Sequence, residues 1–246
     1  MLNNKFVQTA LVILFWLALW EGLNAAISSD IILVSPRAVF ARLFALSQTA
    51  VFWQSIATSL GRILRGFLLA MSFGVLFAVA AAKFRVVYAL IFPAINVMNA
   101  VPIASFTILA LMAFSSSDLS IFIAFVTVLP IVFFNTHKGI LSTDVQLLEM
   151  AEVFRVPAWK KALYIYVKTV APFVLSAASV GIGFAWKSGI AAELIGVVRG
   201  TIGANLHNAR IFLQTADLFA WTVAIVVLSY LMERFFRVFI GGVLKK

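Results

Sequence analysis

The stretch GFLLAMSFGVLFAVAAA, residues 66–82, carries 17 residues without a charge between Arg65 and Lys83. As a helix it would rise about 25 Å, close to the roughly 30 Å hydrocarbon core of a bilayer. Carried back to Ser55, where the sequence turns apolar, it predicts a membrane-spanning helix. Its small residues, like those of GIGFAWKSGIAA further on, allow helix backbones to approach closely in lipid, where helix contacts and tail contacts are equally apolar.

The same signature recurs on both sides of that helix. FVQTALVILFWLALW, residues 6–20, lies uncharged between Lys5 and Glu21, and Glu21 can snorkel to an interface. No small-residue cleavage pattern follows, so it reads as a retained first span rather than a signal peptide. Later spans are expected at 119–136, 169–189 and 219–232. Between Arg85 and Asp118 lie 32 uncharged residues, too many for one perpendicular helix, and they include Pro93, Asn96, Asn99 and Pro102. Prolines free carbonyls that lipid cannot satisfy, so this third span should be interrupted where it faces protein or a water-filled path. Residues 30–54 are mixed. Ser35-Pro36 breaks the chain, and Val39, Phe40, Arg42, Leu43 and Leu46 then recur at helical spacing, predicting an outer interfacial helix.

Composition agrees. Hydrophobic residues make up 63% of the chain and charged ones 11%, against roughly 25% charged in soluble domains. The expected fold is an all-α membrane protein, one membrane domain over residues 1–246 with six transmembrane helices. Absence of cysteine removes disulfides and thiolate metal sites, and His137 and His207 are too far apart in sequence to suggest a metal centre.

The net charge of +10 would suit nucleic acid, but its placement is topological. With the N-terminus inside, the cytoplasmic face gathers Lys5, Lys83, Arg85, Lys138, Arg155, Lys160, Lys161, Lys168, Arg234, Arg237, Lys245 and Lys246. Only Arg37, Arg42, Arg199 and Arg210 fall outside, with Arg62, Arg65 and Lys187 within or beside spans. The bias puts both termini in the cytoplasm and sets nucleic acid aside.

One stretch is too charged to span: LSTDVQLLEMAEVFRVPAWKKALYIYVK, residues 141–168, on the predicted cytoplasmic face between the fourth and fifth helices. Asp144 is a good N-cap, Glu149 and Glu152 suit the start of a helix and Arg155 its end, and Pro157 stops it. Val145, Leu148, Ala151 and Glu152 share one side, with Gln146, Glu149 and Arg155 elsewhere, which predicts a surface-lying helix with an exposed polar face.

This segment resembles the cytoplasmic "EAA" motif of ABC importer permeases, whose pattern is Glu-Ala-Ala, a Gly six residues after the Glu, then a hydrophobic position and a Pro. Glu149, Met150 and Ala151 stand at the first three positions, Ile165 at the hydrophobic one and Pro172 at a second Pro. Arg155 replaces the Gly and Lys168 the first Pro. From end to end the chain is similar to permeases of the nitrate, sulfonate and taurine group. LALWEG, LVSP, SLGRILRGFLLAMSFG, NAVPIASFTILALMAF, LPIVFFNTHKGI and GFAWKSGIAAELIG carry the likeness by their order and spacing.

The resemblance implies a type I ABC importer permease fold in a bacterial cytoplasmic (inner) membrane, with a second copy of the chain and a coupling helix between helices 4 and 5. Glu149, Ala151, Glu152, Arg155 and Trp159 would meet a separate ABC ATPase subunit, which would bind ATP and Mg. A substrate-binding protein or lipoprotein would deliver the solute, an oxyanion, sulfonate or vitamin-precursor-like organic. No cofactor is expected on this chain, which has no G-x-x-x-x-G-K-[ST] to cradle a nucleotide phosphate, and no enzyme activity of its own is expected.

Within the spans, Asn96 and Asn99 suit either a translocation path or interhelical hydrogen bonding. Lys187 and Glu193 either neutralise charge between helices or touch the solute. Trp186 reads as a packing aromatic that could also line the path, and Arg62 and Arg65 as residues that snorkel or draw anions. The rival to an ATP-driven importer is an ion-coupled secondary transporter or channel using Lys187 and Glu193, for which internal repeats should be visible and none is convincing.

Overall fold

The computed structural model describes residues 2–244, with side chains described from Val7 to Val238. Lys245 and Lys246, expected to anchor the C-terminus, lie outside the described residues, as does the side chain of Lys5. The described residues form helices and connections, with no strand among them.

Helix α1, Leu2–Ile27, is apolar all round, and none of its Val7–Ile27 stretch is buried. Its C-terminal end is fastened to the rest of the chain. Trp20 Nε1 donates to Val34 O at 3.0 Å, Asn24 Nδ2 donates to Leu33 O at 2.5 Å, and the Trp20 ring meets Phe219 at 5.8 Å. Helix α2, Pro36–Ser47, starts where expected, with Ser35 accepting from Ala38 N and Pro36 in the first turn.

Helix α3, Ala50–Lys83, capped by Thr49, is longer than the span expected from residue 55. Helices α4, Arg85–Ala100, and α5, Ile103–Ala113, meet at an angle of 111°. Val101 is extended at the break (φ −75°, ψ 130°), as a residue before proline must be. The interruption expected in the third span therefore falls at Val101-Pro102.

Helix α6, Ser116–Leu141, is the most buried. Next come α7, Val145–Val153, and α8, Ala158–Lys161. A π-helical turn, Ala162–Tyr166, then leads into α9, Val167–Gly196. The fifth span thus continues unbroken past Gly189 and ends in the left-handed Val197. Helix α10, Ile202–Ile211, was not foreseen, and α11, Thr215–Leu244, closes the chain.

Helices α3, α6 and α9 form the core through Ile63, Phe67, Val128, Val132, Ile182 and Trp186. Gly66 lets α3 lie against the α6 backbone, since a Cβ there would strike Ile121 O. Helix α11 packs on α9 and α2, and the Arg42 guanidinium is bidentate to Asp217, with Nη2 2.9 Å from Oδ2. That bond raises the Arg42 pKa above its ordinary value. Among the described residues, five helices are long and apolar enough to cross a membrane, and six if the bent α4–α5 pair counts as one.

Candidate functional site

The connection between α6 and α9 folds as a capped helix. Asp144 Oδ1 accepts from Gln146 N at 2.8 Å, as its N-cap position requires. The C-terminal end differs from expectation. The helix stops at Val153, and Arg155 takes the left-handed conformation at φ 49°. Arg155 N donates to Glu152 O at 2.9 Å and Val156 N to Ala151 O at 2.8 Å, the bond pair of a Schellman turn. The stop therefore precedes Pro157, and Arg155 lies beyond the last helical turn rather than within it. Left-handed backbone suits glycine and costs other residues about 1–2 kcal/mol, which accounts for the Gly in the motif that Arg155 replaces.

Burial revises the expected polar face. Ala151 is buried and Leu148 half-buried, but Glu149 and Glu152 share the exposed surface with Met150, Val153 at 79% and Phe154 at 75%. Trp159 on α8 is also exposed, with Lys160 Nζ 5.5 Å from its ring centroid. Neither Glu149 nor Glu152 makes an ion pair among the described residues. The segment presents a mixed apolar and acidic surface that no other described residue covers.

The candidates within the spans separate. Asn96 and Asn99 are exposed on α4 just before the bend. Trp186 is buried and donates Nε1–H to Ile225 O at 3.2 Å, a packing role. Lys187, one residue on, is exposed on the outside of α9.

Glu193 is fully buried, so the two do not neutralise each other. Glu193 Oε2 accepts from Ser59 Oγ at 2.7 Å and from Gly203 N at 3.4 Å, while Ile202 N donates to Ser59 Oγ at 3.0 Å. A Cβ on Gly203 would collide with Glu193, so glycine is what lets α10 seat there. Beside it Asn205 Nδ2 donates to Ser55 Oγ at 2.8 Å. Arg62 does not simply snorkel, because its Nη1 is buried. Ser55, Ser59 and Asn205 were missed from the sequence, although Ser55, Ser59 and Arg62 recur at helical spacing along one face of an otherwise apolar helix.

No group of three or more His, Asp or Glu that could hold a metal occurs among the described residues.

Residues 70–245 match the family described as "Binding-protein-dependent transport system inner membrane component". Over 232 residues the chain is 25% identical to a putative aliphatic sulfonates transport permease protein of Bacillus subtilis, covering 93% of this chain and 83% of that one. The taurine transport system permease protein of Escherichia coli is 24% identical over 220 residues, covering 87% and 80%. The bicarbonate transport system permease protein of Synechococcus elongatus is 25% identical over 188 residues, covering 75% and 66%. These likenesses favour the importer over the ion-coupled rival and imply an ATPase and a substrate-binding protein as partners. The chain belongs to the binding-protein-dependent transport system inner membrane component family, as a multi-pass permease subunit of an ABC importer and not itself an enzyme.

Proposed function

We propose that α7 is the coupling helix by which this permease receives the work of its ATPase. The observation that carries the proposal is the uncovered surface of Glu149, Met150, Val153 and Phe154, ended by a hydrogen-bonded turn. Ala151 anchors it from within, and Glu152, Arg155 and Trp159 flank it. A rim ion pair is worth about 1 kcal/mol or less, so the apolar residues supply affinity and Glu149 supplies register. The coupling segment is 141–168, the outer interfacial segment 30–54, and the permease domain spans 1–246. Six spans with both termini cytoplasmic would place α7 inside and α10 outside, in a bacterial inner membrane. ATP and Mg belong to the ATPase.

The path lies between this chain and a second copy of it. Lys187 supports that reading, because an ammonium on the outside of a span is costly against lipid and at home beside water. Asn96 and Asn99 at the α4 bend would line the path, with Trp186 and Glu193 buttressing it from behind. The relatives are named for sulfonates, taurine and bicarbonate, so the solute class proposed is a small oxyanion, sulfonate or related organic.

Recovery of the ATPase with affinity-tagged permease tests the coupling role. Glu149→Arg is expected to abolish recovery and Glu149→Gln to weaken it, with membrane abundance unchanged in both. Undiminished recovery by Glu149→Arg would refute the proposal.

A further inference from the structure

Glu193 lies where α3, α9 and α10 meet, and only one of its oxygens is satisfied. Both donors, Ser59 Oγ and Gly203 N, go to Oε2, whereas Oε1 is buried and accepts nothing. Arg62 stands three residues along α3 from Ser59, hence on the same face. Its Nη1 is buried and donates to nothing. The Arg62 and Glu193 side chains make no direct ion pair. A buried acceptor on the carboxylate that Ser59 holds and a buried donor from one turn along the same face of α3, of opposite charge and both unsatisfied, form the polar environment in which a buried water is found.

We propose that Arg62 and Glu193 are a single ion pair bridged by one buried water between Nη1 and Oε1, and that this pair fastens α10 across the ends of α3 and α9. Helix α10 has ten residues, about half of what a span requires, so it is held from the side. Its first N–H groups, from Ile202 and Gly203, enter the polar cluster, where the positive end of the helix dipole favours a carboxylate. With Arg62 gone the carboxylate would be left buried without a countercharge, which is more destabilising than losing both charges together. Arg62 is therefore a positioning residue that acts on α10 through Glu193.

The cysteine-free chain gives a direct readout. Ala209, 3% exposed on α10, is changed to Cys in the full-length, detergent-purified protein, and its rate of maleimide labelling is measured. Arg62→Met and Glu193→Gln are each expected to raise the rate by about tenfold or more. The double variant should label no faster than the faster single one, and Arg62→Lys should stay near the parent rate. Labelling of Arg62→Met at the parent rate overturns the proposal, as does a double-variant increase equal to the product of the single ones. Should the single variants fail to accumulate in the membrane, recovery of abundance in the double variant supports the pair and a further fall overturns it.

Discussion

Arg155 occupies a backbone conformation that costs an L-residue about 1–2 kcal/mol, and its guanidinium makes no ion pair among the described residues to offset that. Arg155→Gly removes the strain and leaves the turn less prone to fraying. A preformed turn loses less entropy on docking, so ATPase affinity is expected to rise by up to about fivefold, read from a binding titration. Weaker binding would instead identify the guanidinium as a contact in its own right. Lys187, exposed on α9 within its span, likewise makes no ion pair among the described residues. Lys187→Met is expected to lower transport while membrane abundance, measured by immunoblot, stays constant. A parallel fall in both would make the residue structural.

The elements differ in how plainly the sequence announces them. Long apolar runs, the Ser35-Pro36 start of α2, the Asp144 cap and an interruption in the third span were legible because each rests on a local rule of backbone or cap chemistry, though the sequence did not choose between Pro93, which α4 runs through, and Pro102, where the break falls. The left-handed end of α7 was legible only through the motif's Gly, since nothing else in VFRVP marks Arg155 for that conformation. Exposure of Met150, Val153 and Phe154 was not legible, because apolar periodicity shows that a helix has faces and not which neighbour covers them. The destination of Glu193 was hidden for the same reason. Ser59 lies 134 positions away and Gly203 ten, so their convergence depends on how three helices pack.

For the whole molecule, the orientation proposed from the uneven spread of basic residues would put α7 and α10 on opposite faces of the membrane. Ser116 and Ser142, both exposed at opposite ends of α6, are the places to check it with single cysteines. An impermeant maleimide is expected to label Ser116→Cys in intact cells and Ser142→Cys only after lysis, and equal labelling of both in intact cells would refute the orientation. Helical structure runs without interruption from Ala158, beside the exposed Trp159, to Gly196, just past Glu193, a stretch of 39 residues. A rod that long measures about 58 Å. The π-helical turn Ala162–Tyr166 and Pro172 both lie within it, near the Trp159 end, and are the places where such a helix bends. Under the coupling role proposed for α7, a push at the Trp159 end would be taken up as bending at these two places before it reached Glu193.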